Sequence, residues 1–160
     1  MADWRAMTPG DLGAVTAISA TVHGRYAEPF DVYAERLALY PAGCLVWADA
    51  DRVSGLLVTH PWKAGPAPRL GELLGKIPDS PDRYYLHDVA LLPTARGQGA
   101  GRTAVALVDA LARRAGMSIV TLVAVNGADR FWASQGFGHD DDPAAVGYGA
   151  GSFPMRRLLP

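Results

Sequence analysis

The residues best suited to chemistry lie close together, at His87-Asp88 and in the run Arg96-Gly97-Gln98-Gly99-Ala100-Gly101-Arg102. A histidine titrates near neutrality without help, which suits a proton acceptor. The adjacent Asp88 supplies a fixed negative charge, which suits the attraction and orientation of a cation. Side chains alternate along a strand, so only one of the two can face a given cleft unless a bulge intervenes. A His–Asp pair that makes only structural hydrogen bonds is the plainer reading of the same residues. The second run, with glycines at 97, 99 and 101, suits an anion. Glycines let phosphate oxygens approach the backbone, and a helix that follows offers unpaired N–H groups and the positive end of its dipole.

The elements needed to hold these residues are legible around them. Tyr84 to Leu92 is a short apolar run with aromatic and β-branched residues, stopped by Pro93. After the glycines, Ala104, Leu107, Val108, Leu111, Ala112 and Ala115 recur at the spacing of an amphipathic helix, and Gly116 stands where a C-terminal cap belongs. The unit is strand, glycine loop, helix. A P-loop needs Lys followed by Ser or Thr, and here Arg102-Thr103 follow with the wrong glycine spacing. A dinucleotide fingerprint should follow its strand at once, with a carboxylate at the end of the next strand. Six residues, Pro93 to Gln98, intervene, and the next strand ends in Val125-Asn126.

With 160 residues, 49% hydrophobic and 19% charged, the chain has the composition of one globular domain, 1–160, able to bury a real core. A net charge of −1 points neither to nucleic acid nor to an anionic membrane. The basic residues are nearly all Arg, with only Lys63 and Lys76. The one cysteine, Cys44, sits beside Leu45 and Val46 and reads as a buried structural thiol. No apolar run is long enough to span a membrane and no signal peptide is recognisable, so a cytoplasmic protein is expected. His23, His60 and His139 are scattered without ligand spacing, and no metal is expected.

Trp4 to Met7 reads as a strand, and Thr8-Pro9-Gly10-Asp11 as a capped helix start leading into the stripe Leu12, Val15, Ile18 and Val22. A second helix is expected from about Asp31 to Tyr40, with the polar connector His23-Gly24-Arg25-Tyr26 between. Leu45–Ala48 and Val53–Thr59 around a tight turn form a hairpin. Lys63 to Arg83 is rich in Gly and Pro, with a helical turn expected at Leu70–Leu74. A connection of that length is a functional loop or a solvated excursion. Ile119–Val125 is a strand buried on both faces. Asn126 leads a helix through Phe131-Trp132, and a last strand lies near Phe153–Leu158.

Arg96-Gly97-Gln98-Gly99-Ala100-Gly101 resembles the Arg-x-x-Gly-x-Gly pyrophosphate loop of the GCN5-related N-acetyltransferase (GNAT) family, which binds acetyl-CoA. Asn126, a short helix, Phe131-Trp132 and Gly136-Phe137 resemble that family's C-terminal signature. The order of elements is also similar: strand, two helices, three strands, helix, strand, helix, strand. The resemblance implies an α/β (α+β) fold with a mixed, mostly antiparallel central sheet, splayed between its fourth and fifth strands and flanked by helices. It implies that backbone groups of Val89, Ala90 and Leu91 pair with the pantetheine arm. Amides of Gln98, Gly99, Ala100, Gly101 and Arg102 and the Arg96 side chain would hold the pyrophosphate, with Asn126 and Trp132 completing the coenzyme site. The implied reaction is acetyl transfer to the primary amine of a small molecule, by direct attack in a ternary complex. A non-catalytic acyl-CoA-binding module and an enzyme acting on a peptide or protein amine are the alternatives. Many relatives are dimers, so a homodimer is compatible with the resemblance.

The sequence departs from the family at the proton donor. Many relatives use a Tyr of the last helix to protonate the departing thiolate, and the matching position here is Trp132. Tyr26, Tyr84, Tyr85, Tyr148 or water remain as replacements. Related enzymes place a base where His87 and Asp88 stand, so these two are the expected catalytic residues. Ser134 is expected to cap its helix or face solvent.

Overall fold

A computed structural model describes residues 1–160. Seven strands form one sheet: β1 (Asp3–Ala6), β2 (Cys44–Asp49), β3 (Arg52–Trp62), β4 (Arg83–Leu91), β5 (Ile119–Ala124), β6 (Gly138–His139) and β7 (Phe153–Leu158). Their order is β1-β2-β3-β4-β5-β7-β6, antiparallel throughout except for parallel β4 and β5. Four α-helices cover the faces: α1 (Leu12–His23), α2 (Phe30–Leu39), α3 (Ala100–Arg114) and α4 (Asp129–Ser134). The expected mixed, mostly antiparallel sheet flanked by helices is the observed fold.

Alternation along the strands divides the core into two layers. Val46, Leu56 and Val58 face α1 and α2, where Leu12, Val15, Ile18, Tyr33 and Leu37 meet them. Leu57, Tyr84, Leu86, Val120 and Leu122 face the other way, against Ala104, Val105, Val108 and Ala112 of α3. The small alanines of α3 let its axis lie close to the sheet, and that closeness fixes where its N-terminus points. Trp4 completes the placement, since its indole N–H donates to the Ala100 carbonyl at 3.2 Å and lies 3.1 Å from Thr103 Oγ1. Cys44 is buried, and burial pushes its thiol up to about 12.

Three local expectations change. Leu70–Leu74 forms no helix, only a turn at its start, and residues 63–82 contain no regular element. Backbone groups there are satisfied from outside the segment, by Glu28, Glu35 and Arg36. The helix start at Thr8 is a single 3₁₀ turn, Pro9–Asp11, and α1 begins at Leu12. The expected cap is present: Thr8 and Asp11 form a reciprocal capping box around Pro9, with the Asp11 carboxylate accepting from the Thr8 N–H at 2.8 Å and from Arg5 at 2.8 Å. The tail contains the added short strand β6, paired with β7.

Candidate active site

The parallel strands β4 and β5 pair only through Tyr84 with Val120 and Tyr85 with Thr121. Beyond Tyr85 they diverge, and the β4 edge that faces β5 is unpaired through Leu91. A cleft of about 510 Å³ occupies the gap. Val89, Ala90, Leu91, Arg96 and Gly101 border it on one side, with Asn126 and Trp132 on the other. Asn126 sits in the left-handed region at φ 55°, which turns the chain sharply from β5 toward α4. Trp132 is buried against Phe131 and Phe137, edge to face, and forms part of the wall.

The glycine loop faces open space. Gly97 and Gly99 have φ near +78° and +79°, a region that disfavours any side chain, and no protein atom lies within 4 Å of where a Cβ would stand. None of the backbone N–H groups from Gly97 to Arg102 finds an acceptor within the protein. Arg96 and Arg102 are exposed and have no acidic partner. Gln98 folds its side-chain amide onto the Thr94 carbonyl at 2.8 Å. Ala100 is buried beneath the loop with Ala95 and Trp47. A row of unpaired N–H groups, a helix N-terminus and the Arg96 guanidinium on the cleft wall fit a pyrophosphate.

At the other end of the cleft the register explains the behaviour of His87 and Asp88. Val58 pairs with Asp88 and Thr59 with Leu86, so His87 is an extra residue, a β-bulge. Leu86 lies in the α3 layer and Ala90 in the α1 layer. The bulge therefore brings His87 and Asp88 to the same face, toward α1 and α2. Asp88 is buried, and its Oδ1 is 2.5 Å from His23 Nε2 while the Tyr33 hydroxyl donates to its Oδ2 at 2.5 Å. His87 Nε2 is 2.5 Å from Oε1 of the buried Glu28.

The expectation that His87 itself presents a base to the cleft meets a different geometry. Its side chain has 0% exposure, so its exposed part is backbone, and its Nδ1 is enclosed without a partner. His87 and Asp88 both line the cleft, and His23 lines it with them, its side chain 16% exposed. Its Nδ1 has no protein partner and is not enclosed. Burial alone would lower the His23 pKa, but the hydrogen bond and charge of Asp88 outweigh it and raise the value. Burial opposes the charge on Asp88 and Glu28, yet facing histidines hold both carboxyls below the ordinary range. His60 lies 6.1 Å from His87, ring to ring, and burial pushes it down to about 3. No group of three or more His, Cys, Asp and Glu side chains is arranged to hold a metal ion.

The tyrosines separate cleanly. Tyr84 is buried with its hydroxyl 2.8 Å from Thr59 Oγ1, and Tyr85 is turned inward. Tyr26 and Tyr148 border the cleft, with ring centroids 6.4 Å apart. Tyr148 also lies 3.1 Å from Tyr85, hydroxyl to hydroxyl, and burial raises it to about 12. Ser134 is exposed and donates to the Phe131 carbonyl at 2.5 Å. Sequence reasoning missed His23, Glu28 and Tyr33, which lie 65, 59 and 55 positions from their partners. The one signal available was that His23 and Glu28 flank the break between two amphipathic helices.

No curated protein matches the sequence significantly. Solved structures share the fold. Chaetomium thermophilum Naa20, in complex with a bisubstrate analogue, is 19% identical with a TM-score of 0.72, over 98% of this chain and 86% of that one. Arabidopsis thaliana Naa50, in complex with the bisubstrate analogue CoA-Ac-MVNAL, is 14% identical with a TM-score of 0.71, over 99% of both chains. The GNAT-like decarboxylase GphF, in complex with isobutyryl-CoA, is 19% identical with a TM-score of 0.72, over 99% of this chain and all of the other. A sequence model of the Acetyltransferase (GNAT) family matches residues 15–137, which span both the acid–base cluster and the glycine loop. The chain belongs to the GNAT acetyltransferase family.

Proposed function

We propose that the protein is an acetyl-CoA-dependent N-acetyltransferase acting on the primary amine of a small molecule, by direct attack in a ternary complex. The observation that carries this reading is the pair of half-buried His23 and buried Asp88 on the cleft wall, at the opposite end from the pyrophosphate cradle. The unpaired N–H groups of Gln98 to Arg102 and the Arg96 guanidinium would hold the diphosphate. The free β4 edge at Val89 to Leu91 would accept the pantetheine amides as an added strand. Bound there, acetyl-CoA supplies an acyl group activated as a thioester: the neutral amine forms the new C–N bond, the C–S bond breaks, and the second proton that the nitrogen sheds replaces the one delivered to the departing thiolate.

The protein's part is positioning and proton transfer. An acceptor arrives mainly as an ammonium ion and must lose a proton before it can attack. Asp88 accepts the Nε2–H of His23, which leaves the lone pair of the neutral ring on Nδ1, the nitrogen open to solvent. Tyr33 holds the second carboxylate oxygen, so Asp88 cannot turn away. His23 Nδ1 is then the proton acceptor, and Asp88 stabilises the imidazolium that forms. His87, enclosed on Glu28, keeps that carboxylate and the loop attached to it in place. Tyr148 is the hydroxyl best placed to return a proton, since Tyr84 and Tyr85 are turned inward.

The test is release of free thiol from acetyl-CoA across amino acids, polyamines, aminoglycosides and short peptides. Turnover of a small amine supports the reading. Coenzyme binding with no turnover across the whole set would overturn it. A second reading, a peptide N-terminus as acceptor, is favoured by the Naa50 likeness, whose analogue carries MVNAL. GphF shows that the same fold serves a decarboxylase, so an acyl-CoA carboxylate is a useful control substrate.

A further inference from the structure

Past Tyr26, Leu70 and Tyr148 the cleft continues into an outer basin of about 550 Å³, because these three residues border both spaces. The other walls of the basin include Arg25 and Arg69, and no carboxylate borders it. Arg25 follows α1 and is already oriented: its guanidinium donates to the Tyr26 hydroxyl at 2.8 Å and lies 4.8 Å from that ring's centroid. Arg69 comes from the 63–82 segment. Its nearest acid, Glu72, is 3.8 Å away, too far for a hydrogen bond, and its side chain is 81% exposed. The segment is held where it is, since the Gly71 N–H donates to Glu28 at 2.9 Å and Arg36 donates to the Glu72 carbonyl at 3.3 Å. Two cations 44 positions apart in sequence thus converge on the mouth of the site.

We propose that the acceptor is a primary amine carrying a carboxylate or phosphate at its far end, which Arg25 and Arg69 receive. This rests on the N-acetyltransferase reading above. Inside the cleft, Asp88 and Glu28 are each matched by an imidazole, so neither is free to bind a second ammonium group. A diamine would place its distal cation between two guanidinium groups and be repelled. A neutral amine would gain nothing from them. An anion gains charge-assisted hydrogen bonds from donors whose geometry suits carboxylate and phosphate.

Thiol release should be compared across amines of matched length: 4-aminobutyrate and 3-aminopropyl phosphate, then 4-aminobutan-1-ol and butylamine, then putrescine. The expected result is a kcat/KM for the anionic acceptors about tenfold or more above the neutral ones, mainly through KM. In the double variant Arg25→Gln/Arg69→Gln that ratio should fall toward one, and Arg69→Glu should shift preference toward putrescine. Dipeptides with Asp or Lys in second position form a further arm, and an acidic preference confined to them places the anion on a peptide. Turnover with no preference among charges, or a preference that survives the double variant, overturns this proposal alone. No turnover of any amine, with coenzyme binding intact, overturns the N-acetyltransferase reading and this proposal with it.

Discussion

His23 Nε2, on the last residue of α1, lies 2.5 Å from Oδ1 of Asp88, the residue that follows the bulge in β4. The contact joins the helical layer to the strand edge where the sheet opens, and it leaves the outward nitrogen of the ring free. Replacing His23 with Gln keeps a polar side chain of similar reach and removes the proton acceptor. Turnover should fall by about 10²–10⁴, the usual share of general base catalysis, with coenzyme affinity by calorimetry unchanged. Asp88→Asn should give a loss of the same order, and the double variant little more, because the two act as one unit. Unaltered turnover in His23→Gln would show that the proton leaves by another route.

The same pair predicts opposite pH trends for activity and stability. His23 has its pKa raised above 6.5 in the folded protein. Its stabilising contribution is therefore complete below 6.5 and is lost as pH rises through the raised value. Asp88 and Glu28 have theirs lowered from 3.8 and 4.5, so their contributions are present above those values and fade as pH falls through the lowered ones. Thermal stability from this cluster should therefore be greatest between about pH 4.5 and 6.5. Activity needs the neutral ring, so kcat/KM should rise with pH with a midpoint above 6.5. In Asp88→Asn burial acts on His23 without its counter-charge, and the midpoint of residual activity should move down. A midpoint that stays put in that variant would mean that a different group titrates.

Gly99 separates coenzyme binding from folding. It stands before α3 at φ 79° with empty space around its Cβ position. A Cβ at Gly99 meets no protein atom, so the main folding cost of Gly99→Val is the backbone strain of a left-handed residue, about 1–2 kcal/mol. The same side chain would project into the space where the loop's N–H groups point. The expected result is a melting temperature lowered by a few degrees together with at least a hundredfold loss of acetyl-CoA affinity. Gly13→Ala, in α1 with open space and ordinary φ, is the matched control and should add about 0.5–1 kcal/mol without touching affinity. Equal coenzyme affinity in Gly99→Val and the parent would remove the diphosphate from this loop.

The sequence announced whatever was local in it. The strand–glycine loop–helix unit, the stripe of α1 and the buried run of β5 each follow from spacing within a few turns or residues, and β7 lies where it was expected. Even the conflict at His87-Asp88 was visible, since two adjacent strand residues can share a face only across a bulge. The partners were not visible. His23 ends α1 at the start of the stretch that reads as a polar connector, Glu28 lies just past that stretch, and their pairing with β4 depends on how α1 crosses the sheet. Leu70–Leu74 misled because helix formers in a short window say nothing about Glu28, Glu35 and Arg36, which satisfy that backbone from afar.

Glu28 is the point where the loop and the acid–base cluster meet. One carboxylate oxygen faces His87 and the other accepts the Gly71 N–H at 2.9 Å. Glu35 holds the next stretch through the Leu74 and Gly75 N–H groups at 2.6 and 3.0 Å. Glu28→Ala would leave His87 enclosed with neither nitrogen paired and would release Gly71. Breaking a buried pair by removing one partner costs about 3–5 kcal/mol, so a loss of stability is expected. Glu28→Gln is the milder probe, because it keeps one acceptor oxygen and removes the charge. In that variant amide exchange across residues 69–76 should quicken, and the acceptor KM should rise while coenzyme affinity holds, because Leu70 and Arg69 move with the loop. Glu35→Gln should quicken exchange at Leu74 and Gly75 with less effect on KM, since its contacts lie farther along the loop from the shared wall. Unchanged exchange at Gly71 in Glu28→Gln would mean that the loop is positioned by Glu35 and Arg36 alone.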